Sequence, residues 1–300
     1  MCGIAGIFSK SDAIAAGLGG HLATMLLELA ERGPDSVGVA LYRDPAPPGA
    51  RKLTLHAPAG SPQEWDRVRA ALGEHLGGEL ELRPRARHAV LLVRCGEDEV
   101  RAVLPPGVRV VSAGAQIEIY KEAGPTPAVL ESIGVAGMSA SHGLGHTRMA
   151  TESRVTTEHS HPFSTGLDLC LVHNGSLSNH NRLRATLRRE GIRFRTDCDS
   201  EVAAGYLTWR MREGASLEQA LEGCLEDLDG FYTFAVGTRD GFAVLRDPIA
   251  CKPAVMAETD EWVAIASEYR AIAGLPGAAD ARTWEPEPGH VYSWGMAEVV

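Results

Sequence analysis

Strand-like and helix-like segments occur in blocks along the 300 residues rather than in strict alternation. That order favours layered α+β packing over a doubly wound parallel sheet. The chain opens on Cys2-Gly-Ile-Ala-Gly-Ile-Phe8, which reads as a short buried strand with glycines where another backbone comes close. A helical pattern follows, with Leu18, Leu22, Met25, Leu26 and Leu29 on one face, and stops at Arg32-Gly33-Pro34. Ser36 to Tyr42 predicts a second strand. The character changes between Asp44 and about Gly137: a proline-rich turn at 45–49, a short helix over Pro62–Leu76, and strand-like runs at His88–Arg94 and Val108–Tyr120. This stretch reads as a subdomain inserted at about 44–137 into one core.

Beyond Gly143 a strand and loop precede the apolar run Leu167–His173, which ends in Asn174-Gly175. Helices are predicted over Asn181–Glu190, Ser200–Arg212 and Leu217–Leu228, the last with a capping box from Ser216 and Gln219. Short strands follow at Phe231–Val236, Gly241–Arg246, Ala254–Ala257, Trp262–Ala266 and Val291–Trp294.

Bulk properties exclude several classes of function. A net charge of −10 is the wrong sign for a nucleic-acid partner. No run of about 18 apolar residues is present to span a membrane. No basic region followed by an apolar stretch marks a signal peptide. The six cysteines form no Cys-x-x-Cys pair, which weakens zinc and iron–sulfur readings, and a cytoplasmic protein with reduced thiols is expected.

Cys2 differs from the other cysteines in kind. Trimming of Met1 would leave a thiol and a free α-amine on one residue. An α-amine has a reference pKa of about 8, low enough to take the thiol proton near neutral pH and return it to a departing amine. Alone, that signal is weak, and each neighbouring motif has a plain reading of its own: helix stop, surface ion pair, N-cap, hairpin turn.

Together they form a pattern. Cys2-Gly-Ile-Ala-Gly-Ile, Arg32-Gly-Pro-Asp-Ser36, His146-Thr-Arg-Met-Ala-Thr151, His161-Pro-Phe163, His173-Asn-Gly175 and Asp199-Ser-Glu201 stand in the order found in class II glutamine amidotransferases, and the chain resembles that family at both ends. More narrowly, Gly145–Ser153, Val172–His180 and Arg246–Pro253 resemble the free-standing glutaminase subunits related to glutamate synthase, including that of N-methylglutamate synthase. The resemblance implies a four-layer αββα sandwich of the N-terminal-nucleophile hydrolases, with L-glutamine as substrate. Cys2 would be the nucleophile, and Asn174 and Gly175 the oxyanion hole. Arg148 and Thr151 would hold the substrate carboxylate, since a guanidinium donates two parallel hydrogen bonds. Asp199 would hold the ammonium, with Asp197 the weaker option. Arg32 and His161 would stand behind these groups, Arg32 fixing the loop around Cys2. His146, His161 and His173 read as structural hydrogen-bonders; a zinc site built from them is the weaker alternative, and no metal is expected.

Two positions depart from the family. Met149 stands where tryptophan is familiar, and Glu152 where many members have histidine. The glutaminase pattern runs to about residue 294, and neither a P-loop nor a Gly-x-Gly-x-x-Gly fingerprint is present. The resemblance therefore implies a subunit without cofactor, feeding ammonia to a large synthase chain that carries flavin and iron–sulfur clusters. The alternatives are a stand-alone amidase acting on a γ-glutamyl compound and a non-catalytic glutamine-binding subunit.

Overall fold

A computed structural model describes residues 2–76, 80–150 and 154–295. The chain begins with strand β1 (Gly3–Ser9), helices α1 (Asp12–Ala16) and α2 (Leu18–Glu28), and strand β2 (Ser36–Tyr42). Next come β3 (Arg51–His56), α3 (Pro62–Leu76), β4 (Glu81–Arg85), β5 (His88–Val93), α4 (Glu97–Val103) and β6 (Arg109–Gly114). They are followed by β7 (Ile117–Ala123), α5 (Thr126–Ile133), β8 (His142–Arg148), β9 (Cys170–Leu177), α6 (His180–Arg189), α7 (Asp199–Arg212) and α8 (Leu217–Asp227). The last stretch holds β10 (Gly230–Thr238), β11 (Gly241–Arg246), β12 (Val255–Glu258), β13 (Trp262–Ala266), α9 (Arg270–Ala273), β14 (Arg282–Trp284) and β15 (Val291–Gly295).

Seven antiparallel strands form the first sheet in the order β14-β12-β13-β1-β8-β2-β7, so β1 lies at its centre. The second sheet runs β15-β11-β10-β9. Successive side chains of a strand point to opposite faces, and β1 uses both. Ile4 and Phe8 pack between the sheets with Tyr42, Leu144, Val172 and Phe242. Ala5 and Ile7 turn to the other face, against Leu18, Leu22, Met25 and Leu26 of α2. The second sheet repeats this: Val172, Ala235 and Val244 face inward, while Leu171, Phe234 and Leu245 pack under α7 and α8. Helices, sheet, sheet and helices thus make the expected αββα sandwich. Each of the buried valine, leucine, isoleucine, methionine and phenylalanine side chains among these contributes about 1.5–3 kcal/mol relative to an exposed one.

The segment 44–137 divides between two bodies. Strands β4-β5-β3-β6 form a third sheet that packs with α3 and α4 around Leu53, Leu55, Trp65, Val68, Leu91 and Val110. This side sheet ends at Gly114. Strand β7 instead pairs with β2 along Ser36–Tyr42, and α5 buries Val129, Leu130 and Ile133 in the α2 layer. The apolar run Val108–Tyr120 is therefore two strands in two sheets. They part at Ala115-Gln116, where the Asp168 carboxylate accepts the N–H groups of Ala115, Gln116 and Ile117 at 2.6, 2.8 and 3.0 Å. No helix among the described residues is long and apolar enough to cross a membrane.

Candidate active site

Cys2 lies at the head of the central strand, half-buried. Its carbonyl accepts from Arg32 Nε at 3.0 Å and from Asn174 Nδ2 at 3.3 Å. Its Sγ lies 3.7 Å from the Met149 carbonyl. Gly3 pairs with Thr147 of β8, and a Cβ on Gly3 would sit 2.7 Å from Thr147 Oγ1 and 2.9 Å from Leu29 Cβ. Glycine is thus what allows the strand behind Cys2 to seat so deeply. Ile4 N donates to Ser267 Oγ at 2.9 Å, and Ser267 N donates back to the Ile4 carbonyl at 2.9 Å. Beside it, Arg32 pairs with Glu268; the hydrogen bond from Arg32 holds that carboxyl below its usual range.

Asn174 belongs to β9, opposite Thr233, and brings the second sheet to the Cys2 carbonyl. The Asn-Gly pair is not a hairpin turn: β9 continues to Leu177 and Gly175 pairs with Tyr232. Gly175 has φ +153°, and a Cβ there would lie 2.0 Å from the Phe231 carbonyl oxygen and 2.7 Å from His173 Nε2. A side chain is excluded on both counts.

Arg148 ends β8 and is buried. Its Nη1 donates to the Arg154 carbonyl at 3.2 Å, and its own carbonyl accepts from Asp35 N at 3.1 Å. Asp35 Oδ2 accepts from Ala150 N at 2.7 Å. The aspartate of the Arg-Gly-Pro-Asp motif therefore anchors the chain as it leaves β8, a role that the motif alone does not announce. Met149 between them is exposed. Thr151 and Glu152 lie outside the described residues.

Asp199 is the first residue of α7 and is turned inward. Its Oδ2 accepts from Leu177 N at 2.9 Å, and Ser200 Oγ donates to its Oδ1 at 3.2 Å. Burial alone would raise the Asp199 carboxyl; His173 and the N–H groups of Leu177 and Ser200 outweigh it and hold the carboxyl below its usual range. Asp197, by contrast, is exposed and meets His159 Nε2 at 2.8 Å.

The three histidines link layers. His161 stacks on His146 with ring centroids 4.1 Å apart. His146 Nε2 donates to the His173 carbonyl at 3.1 Å, and His173 Nδ1 meets Ser200 Oγ at 2.9 Å. Burial pushes His146 down to about 3 and His161 well below its ordinary value, so both are neutral. Among the described residues no group of histidine, cysteine or acidic side chains could hold a metal ion.

Comparison with known proteins points to one family. The family model described as a glutamine amidotransferase domain matches residues 146–274. The glutamine amidotransferase-like protein GlxB of Rhizobium meliloti (strain 1021) is 52% identical over 298 residues, covering 98% of each chain. The chain belongs to the class II glutamine amidotransferase family. Another relative, a Methanothermobacter thermautotrophicus protein bearing the glutamine amidotransferase name, is 30% identical over 304 residues, covering 97% of this chain and 99% of its own. Among solved structures, glutamine phosphoribosylpyrophosphate amidotransferase from B. subtilis shares the fold, with a TM-score of 0.61 at 19% identity. All of this class II chain is matched there, against 50% of that longer one.

Proposed function

We propose that the protein hydrolyses L-glutamine to glutamate and ammonia, with Cys2 as nucleophile once Met1 has been removed. The observation that carries this reading is the clasp on the Cys2 carbonyl, made by Arg32 and Asn174 from opposite layers. The α-amine of Cys2 takes the thiol proton, and the thiolate attacks the side-chain amide carbon. The Asn174 amide, already beside Cys2, and the Gly175 N–H receive the charge that develops on oxygen. One such donor is worth about 2.7–4 kcal/mol in the transition state. As the C–N bond breaks, the leaving nitrogen takes the proton from the α-amine and departs as ammonia, leaving a thioester. Water then attacks the thioester, losing its proton to the amine; glutamate leaves and the thiol is restored.

Arg148, with Thr151, clasps the substrate carboxylate, and Asp199 holds its ammonium. Arg32 keeps Cys2 in place through the carbonyl, and His161 holds the wall of the pocket through its stack on His146. The resemblance of Gly145–Ser153, Val172–His180 and Arg246–Pro253 to free-standing glutaminase subunits supports a role as one chain of a larger complex. The ammonia would pass to a separate glutamate-synthase-like chain in the cytoplasm, and flavin and iron–sulfur chemistry would belong to that partner.

Cys2→Ala, or an uncleaved residue left ahead of Cys2, is expected to abolish ammonia release from glutamine, with intact-mass measurement reporting whether Met1 is gone. Undiminished release in either protein would sink the nucleophile assignment.

A further inference from the structure

The loop between β8 and β9 crosses the edge of the main sheet over a buried lysine. Lys121 of β7 lies opposite Gly38 of β2. Its Nζ donates to the carbonyls of Ser160, Pro162 and Glu158 at 2.6, 3.1 and 3.4 Å, and stands 4.6 Å from the centre of the Phe163 ring. An ammonium has three N–H donors and no acceptor, so these three carbonyls of one loop use it completely. Gly38 permits the approach, because a Cβ there would lie 2.1 Å from the His161 carbonyl oxygen.

The outer side of the loop is tied to neighbouring strands. Thr157 Oγ1 donates to Glu122 Oε2 at 3.1 Å, and Glu122 also meets His56 of β3 at 3.1 Å. Glu158 pairs with Arg109 of β6. A cavity of about 340 Å³ remains beneath, lined by Lys121, Phe163, Val110, Arg195 and Glu201 among others. Polar contacts thus tie down the Thr157–Pro162 stretch, while Phe163 beside it is buried in the core under α7.

What this loop carries is the seat of Arg148. Arg154, near its start, accepts from Arg148 Nη1, and His161, near its end, stacks on His146. The backbone of Cys2 and the side chain of Asn174 are fixed elsewhere, by β1, Arg32 and β9, and the Cys2 thiol meets the loop at the Met149 carbonyl, ahead of the stretch that Lys121 binds.

We propose that Lys121 is a positioning residue for substrate. By binding the carbonyls of Glu158, Ser160 and Pro162 it fixes the loop against which Arg148 leans, and so sets the affinity for glutamine rather than the reactivity of Cys2. This rests on the glutaminase reading above.

Lys121→Met keeps the aliphatic stem and removes the donors. It is expected to raise KM for glutamine about tenfold, a typical loss for charged hydrogen bonds, with kcat within about twofold of wild type. Alkylation of Cys2 by iodoacetamide should keep its rate. Thr157→Val, a milder change on the half-exposed side of the same loop, should raise KM about two- to threefold with no change in Tm. An unchanged KM in folded Lys121→Met overturns the proposal, as does a parallel fall in kcat and alkylation rate. If Lys121→Met does not fold, an unchanged KM in Thr157→Val overturns it. A wild-type protein that neither releases ammonia from glutamine nor reacts with a glutamine-like diazo-ketone overturns the glutaminase reading itself. A wild type that does both beside an unaltered Lys121→Met overturns only the role of the lysine.

Discussion

Cys2 and Arg148 stand side by side at the ends of two paired strands, yet different forces hold them. Cys2 heads the central strand of a seven-stranded sheet, and its carbonyl is clasped by two side chains from different layers. Arg148 is the last residue before the chain leaves the sheet, and its guanidinium leans on a carbonyl of the departing loop. Cys2 is set by the strand it heads and by that clasp; the Arg148 backbone pairs with Ser36 of β2, but its guanidinium leans on a loop that Asp35, Lys121, Glu122 and Arg109 hold. On the proposed assignment, the nucleophile would be the more tightly set of the two and the substrate clamp the more adjustable, the order in which misplacement costs most.

The sharpest way to break that contrast is at Asn174. Asn174→Ala should lower kcat by about 100- to 1,000-fold with little change in KM, because the lost donor acts on the transition state. A rise in KM alone would move Asn174 to the recognition side. Next in size, Arg148→Lys keeps the charge and loses the fork; KM for glutamine should rise about thirtyfold, about 2 kcal/mol, with kcat little altered. Steady-state kinetics on that variant would undo the comparison if kcat carried the loss.

An effect on stability rather than kinetics concerns the stack of His146 on His161. His146 is held at about 3 by burial, against about 6.5 in an unfolded chain. Between those values the unfolded chain binds the extra proton, so its contribution to stability is whole above about pH 6.5 and is lost as pH falls. At pH 5 the loss from His146 should be about 2 kcal/mol. Denaturant titrations at pH 7 and pH 5 should show it, with a shallower dependence in His146→Gln. Equal pH dependence in the two proteins would mean that the fold does not hold His146 neutral.

Much of this architecture was legible in the sequence. The short apolar runs Gly3–Ser9 and Ser36–Tyr42, the apolar face from Leu18 to Leu29 and the helix at Pro62–Leu76 carry their signals locally. The ordered motifs around Cys2, Arg148, Asn174 and Asp199 also name residues that the fold brings toward one another. What stayed hidden depends on partners distant in sequence. Nothing within Val108–Tyr120 announces a break between sheets, since the carboxylate that makes it belongs to Asp168. Asn174-Gly175 has the look of a turn, and only pairing with Tyr232 keeps it a strand. A lysine in an edge strand reads as a solvated charge; that Lys121 is buried under three carbonyls follows from a loop about 40 residues away. Glu268 likewise matters only because Arg32 reaches it.

The central place of β1 also sets a timetable. The residues made first find their neighbours last: β8 is complete only at Arg148, β13 only at Ala266, and the clasp on Arg32 waits for Glu268. A nascent chain short of residue 268 lacks both the β13 side of the β1 ladder and the Glu268 partner of Arg32 that complete the setting of Cys2. Enzymes that trim an initiator methionine would therefore meet a free, unpaired start, and the site would close only after nearly the whole chain had emerged.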